Sequence, residues 1–227
     1  MPDEQHTLMH PKLKTPRAAA LAGILFAVLF IISVVLIRFS IPADPADSGA
    51  WLKYRAGIVS LALSLLPFSG IAFLWFMGVV RDRIGHLEDQ FFSTVFFGSG
   101  LLFLAMTFAS ASLAGGALAT YAVESSRLIE SGVYTFVRAV TYRINNVYAV
   151  KMAGVFMISL GTIWVRTRVM PRWLALLTYV LALGLLLSIG SSLWVTLIFP
   201  AWVCAVSVYI LVLNPRGPSA SQQGGLE

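Results

Sequence analysis

Lys151 is the one formal charge well inside an apolar stretch of this 227-residue chain. An ammonium group at such depth costs several kcal/mol, so charges within a membrane usually bind, carry or pair with something. Shortly before it, Arg138, Thr141, Tyr142, Asn145 and Asn146 share a helical face with Thr135. Arg143 adds a further charge, and Glu124, Arg127 and Glu130 come just ahead of that stretch. These groups have the chemistry to hold a small polar molecule or a lipid headgroup. Lys151, Glu124, Arg138 and Asn145 are therefore the candidate ligand-binding residues. By sequence alone the structural accounts are the stronger ones. The lysine lies about one turn inside its apolar run, where its four-carbon stem reaches the headgroups or its ammonium pairs with Glu124. The polar face reads as a solvated helix surface.

Other reactive residue types lead nowhere. Gly98-Ser99-Gly100 has the look of an intramembrane serine nucleophile, yet no apolar run holds a histidine to act as its base. His86 lies in a polar loop, and His6 and His10 belong to a polar tail. The single cysteine, Cys204, reads as an apolar filler. No histidine pair for haem, no metal-ligand cluster, no carboxylate relay and no Walker loop is present, so neither a catalytic residue nor a cofactor is expected.

The elements that position these residues are six apolar runs: 18–37, 57–80, 91–115, 147–165, 173–190 and 193–213. Each has about the ~20 residues needed to cross ~30 Å of hydrocarbon. The chain is 58% hydrophobic and 11% charged, well below the ~25% charge of soluble domains. This composition predicts an all-α polytopic membrane bundle of six transmembrane helices over residues 17–213. Residues 1–16 and 214–227 are read as disordered cytoplasmic tails. Lys12, Lys14 and Arg17 precede a run too long for a secretory signal, so it counts as an uncleaved first helix.

Orientation follows from basic residues. Lys12, Lys14, Arg17, Arg81, Arg83, Arg166, Arg168, Arg172 and Arg216 fall on one side, which places both ends in the cytoplasm. That account absorbs the net charge of +6 and leaves no reason to expect nucleic acid. The partners expected are the lipid bilayer itself, a homo-oligomer or a larger membrane complex. Ser191-Ser192 makes a tight connection between the last two runs, and Glu88 and Asp89 suit the start of the third helix. Ala18/Ala22, Ala105/Ala109 with Ser112/Gly116, and Gly184/Ser188 predict close packing between helices. Pro67 and Pro200 predict kinks.

The segment 116–146 is too apolar for a simple loop. Its periodicity predicts a fourth helix from about Gly132 to Val165, roughly 50 Å long. The third helix extends toward Ser125 unless Gly115-Gly116 breaks it. The expectation is an extended outer helical hairpin between helices three and four.

Arg166-Thr-Arg-Val-Met-Pro-Arg-Trp-Leu before an apolar run, Asn214-Pro-Arg-Gly-Pro-Ser-Ala after the last one and the six-run layout resemble a group of bacterial integral membrane proteins of unknown function. The resemblance implies a bacterial plasma-membrane protein and transfers no active residue. The expected role is a non-enzymatic module that binds a lipid or small molecule or assists a membrane assembly. One alternative is a transport component, similar in size to the six-helix substrate-binding subunits of vitamin transporters. Another is a membrane enzyme acting at the outer leaflet through Glu124, Arg138 and Asn145.

Overall fold

The computed structural model describes residues 16–42, 49, 51–84, 90–188 and 194–213, and among these all regular structure is helical. The helices are α1 (Pro16–Ser40), α2 (Leu52–Ile84), α3 (Gln90–Val123), α4 (Ser125–Glu130), α5 (Val133–Arg143), α6 (Val150–Thr167), α7 (Arg172–Leu187) and α8 (Ile198–Leu213). A π-helical turn, Ile144–Ala149, joins α5 to α6, and a 3-10 turn, Val195–Leu197, leads into α8. The two tails, the Ser191-Ser192 connection, His86, Glu88 and Asp89 lie outside the described residues.

Among the described residues, five stretches are long and apolar enough to cross a membrane: Arg17–Ser40, Leu52–Asp82, Phe91–Val123, Val133–Thr167 and Val195–Val212. The remaining apolar helix, α7, has 16 residues, about 24 Å, which is short of the hydrocarbon thickness. It is shorter than the run 173–190 because Ser188 turns the backbone to an extended conformation (φ −61°, ψ 124°). The Ser188 amide and hydroxyl then close on the carbonyls of Gly184 and Leu185, at 3.0 and 2.7 Å. Gly115-Gly116 does not break α3, since an isolated helical glycine costs only ~1 kcal/mol against alanine. Gly132, with φ 74°, sets the start of α5. Pro200 stands in the first turn of α8, where the amide it lacks would have no intrahelical acceptor.

Successive long helices alternate in direction. At one end Arg38 meets Asn146, Phe39 meets Trp194 and Lys151 meets Leu186. At the other end Arg81 lies over the ring of Phe97, Arg166 over that of Phe92, and Trp173 meets Tyr209. These are called below the Arg38 end and the Arg166 end.

An aromatic cluster fills the middle. Phe73 of α2 is fully buried and touches Phe26, Phe103, Phe156 and Phe199, with ring centroids 4.7–5.6 Å apart. Those rings come from α1, α3, α6 and α8, so one side chain contacts four neighbouring helices. In lipid no hydrophobic force draws helices together, and contact quality decides the packing. Glycines supply the room. A Cβ on Gly23 would run into Ser207 and Phe76, and one on Gly154 would stand 3.2 Å from the Ala182 carbonyl oxygen.

The small-residue pairs split. Ala22 is buried in the bundle and Ala18 half-buried, whereas Ala105, Ala109, Ser112, Gly116 and Gly184 are exposed. Packing within the chain therefore does not use the α3 row. At the Arg38 end a second cluster of Trp51, Leu52, Val59, Leu128 and Tyr134 holds α4 and α5 against α2. It is closed by a 2.8 Å hydrogen bond from Trp51 Nε1 to the Tyr134 hydroxyl.

Replacing Phe73 by alanine is expected to cost about 3–5 kcal/mol, whereas Phe68→Ala, at an exposed position on the same helix, should be near neutral. Thermal unfolding of the two variants in one detergent checks this.

Candidate functional site

The face of α5 that carries polar residues turns inward. Tyr134 is buried, Arg138, Thr141 and Asn145 are half-buried, and Asn146 is only 6% exposed. Phe136, Ala139 and Tyr148 point outward instead. The solvated-surface account of this stripe holds for Thr135, which is exposed, and fails for Asn146. In a protein whose exterior is apolar, polar groups gain more from one another than from the surroundings.

The π-helical turn completes the arrangement. Side chains meet backbone carbonyls where the pairing switches from i→i+4 to i→i+5. Ser110 Oγ donates to the Thr141 carbonyl at 3.2 Å, and Asn146 Nδ2 to that of Tyr142 at 3.0 Å. The extra residue in the turn also re-aims two adjacent asparagines. Asn146 accepts a 2.7 Å hydrogen bond from Arg38 Nη2 in the last turn of α1. Asn145 lines a small cavity of about 10 Å³ together with Thr196 and seven apolar side chains, including Phe30, Phe103 and Leu185. That volume is about the room of one water. Asn145 makes no side-chain hydrogen bond to the protein among the described residues.

Three cations at this end contact carbonyls beside helix C-termini. Lys151 Nζ donates to Leu186 O at 2.9 Å, so the ammonium offered above as a partner for Glu124 instead closes α7. Arg138 Nη2 donates to Pro42 O at 2.7 Å, two residues beyond α1, and Arg55 Nη1 to Phe39 O within its last turn. The last four carbonyls of a helix have no intrahelical partner, and the negative end of the helix dipole favours a cation there. Glu124 is exposed at the junction of α3 and α4, where its amide reaches back to Thr120.

Of the four candidates, Arg138 and Asn145 lie two turns apart on the inward face, Lys151 acts as a cap, and Glu124 stands at the surface. Two participants escaped the sequence reading. Arg38 was legible only as a cation ending an apolar run, and Asn146 only as one member of a polar face. Ser99 bonds back to the carbonyls of Val95 and Phe96, at 2.6 and 3.1 Å, which occupies its hydroxyl within its own helix. No group of three or more His, Cys, Asp or Glu side chains suited to a metal occurs among the described residues.

The chain matches no protein-family model, no curated protein and no solved structure.

Lys151→Met should destabilise the protein by about 1–2 kcal/mol, the order of a charge-assisted bond to a helix end, and Lys151→Arg should recover part of it. Melting temperatures in detergent decide the matter. An unchanged value for Lys151→Met would return the ammonium to the groups available to a ligand.

Proposed function

We propose that this protein is a non-enzymatic, multi-pass membrane module that binds a lipid headgroup or small polar molecule at the Arg38 end. The observation that carries the reading is the inward polar face of α5 and the π-helical turn. It sets Arg138, Thr141, Asn145 and Asn146 toward the bundle, with the unpartnered Asn145 amide lining a cavity. A polar interior beneath an apolar exterior suits a ligand that enters from the bilayer or its interface.

In the same reading α7 is the sixth crossing, both termini are cytoplasmic, and residues 116–146 form the outer part of the α3–α5 pair. The bacterial plasma membrane and the uncharacterised six-helix group remain the proposed setting. The exposed row Ala105, Ala109, Ser112 and Gly116 is the place for a second copy in a homo-oligomer. The transport reading is less favoured, because Ala22 of the first helix, which it would use externally, is covered by the chain's own helices.

Native mass spectrometry of protein extracted gently from its own membrane should show a retained lipid or metabolite. Arg138→Gln combined with Asn145→Leu should release it. A wild-type protein that carries nothing, at any assembly mass, would overturn the reading.

A further inference from the structure

Arg38 meets a side chain where Arg55, Arg138 and Lys151 meet backbone carbonyls. Its Nη2 meets the Asn146 side-chain oxygen at 2.7 Å, while its Nε is buried and has no hydrogen-bond partner. These two nitrogens belong to one guanidinium, which is built to grip two oxygens of a carboxylate or phosphate at once. An amide offers one oxygen, and its nitrogen is committed to the Tyr142 carbonyl. The fork is therefore half filled, and by a neutral group. No carboxylate pairs with Arg38 among the described residues. One helical turn before Asn145, the Thr141 hydroxyl is likewise buried without a partner. A cation held in a low-dielectric site without a counter-charge is costly, and such sites are completed by an anion.

We infer that Arg38 is the receptor for an oxyanion, a phosphate group, that completes its guanidinium fork and supplies the missing negative charge. The inference rests on the ligand-binding reading above and specifies its chemistry. Entry of the phosphate requires the side chains over the buried Nε to part, and Arg38 as a whole is half-buried. The phosphate comes either from an anionic lipid headgroup or from solution, and both supply the same oxygens.

The test uses the full chain in detergent and in nanodiscs, with three variants. Arg38→Gln removes the receptor. Asn146→Asp supplies an internal carboxylate in nearly the same volume, so the fork is satisfied without a ligand. Lys53→Gln removes an exposed cation of the same end and serves as the charge control.

The expected result is a rise in melting temperature of wild type and Lys53→Gln with phosphatidylglycerol nanodiscs over phosphatidylcholine ones. That rise should be lost in Arg38→Gln and Asn146→Asp, with apparent affinity falling at least about tenfold. If inorganic phosphate in detergent gives the same pattern, the source is a soluble phosphate. If only phosphatidylglycerol does, it is a headgroup. Absence of any wild-type response, or a response that survives in Asn146→Asp or vanishes in Lys53→Gln, overturns the inference. Should Arg38→Gln fail to fold, Asn146→Asp and Lys53→Gln decide alone. A neutral molecule retained equally by wild type and Asn146→Asp would sink the oxyanion while leaving the binding reading intact, whereas no retained molecule sinks both.

Discussion

A backbone carbonyl that loses its amide partner inside hydrocarbon has no water to turn to, so a side chain must serve it. Helices end and change pitch at the Arg38 end of this bundle, and side-chain donors meet carbonyls at several of these points. Arg55 serves Phe39, Arg138 serves Pro42 and Lys151 serves Leu186. Ser110 and Asn146 serve Thr141 and Tyr142 where α5 gives way to the π-helical turn. A purely topological count treats basic residues on this side as a weakness of the positive-inside bias. Their partners give each of these three a local reason instead, because a cation at a helix C-terminus supplies a donor and a favourable charge together.

The same constraint decides how α5 is rolled. An amphipathic helix in water turns its apolar side to the core. Here α5 and the π-helical turn bring Arg138 to the Pro42 carbonyl and Asn146 to Arg38, and leave Phe136 outside. Deeper in the bundle the problem disappears, since each helix closes its own hydrogen bonds. There the aromatic contacts of Phe73 and the glycine-lined approaches at Gly23 and Gly154 take over. One half of the molecule is thus organised by polar satisfaction and the other by shape.

Much of this was legible from residue types alone. Long apolar runs predict helices of membrane length, and Gly132 predicts the start of α5 because a left-handed residue suits a helix boundary there. The end of α7 was not legible. The apolar composition continues past Leu187, while the stop comes from Ser188 bonding back to its own helix. Nor was the π-helical turn, which alters the pairing by one residue and draws on Ser110 of another helix. The Arg38–Asn146 contact joins residues 108 positions apart, beyond the reach of any local pattern. Periodicity showed that α5 has a polar face but not which way it points, because water and lipid demand opposite answers.

Asn146 itself shows why composition understates this site. An aspartate there would close the Arg38 fork with two oxygens but bring an oxygen against the Tyr142 carbonyl, which accepts from the asparagine amide. Asparagine meets both demands at once, accepting from Arg38 and donating to Tyr142. The cost falls on Arg38, whose Nε stays unsatisfied and whose charge stays uncompensated by any described carboxylate. Helix geometry and charge balance therefore pull this position in opposite directions, and the residue present favours the helix. An unbalanced guanidinium at the polar end of an otherwise apolar bundle is the direct consequence of that choice, and it gives the site its chemical preference.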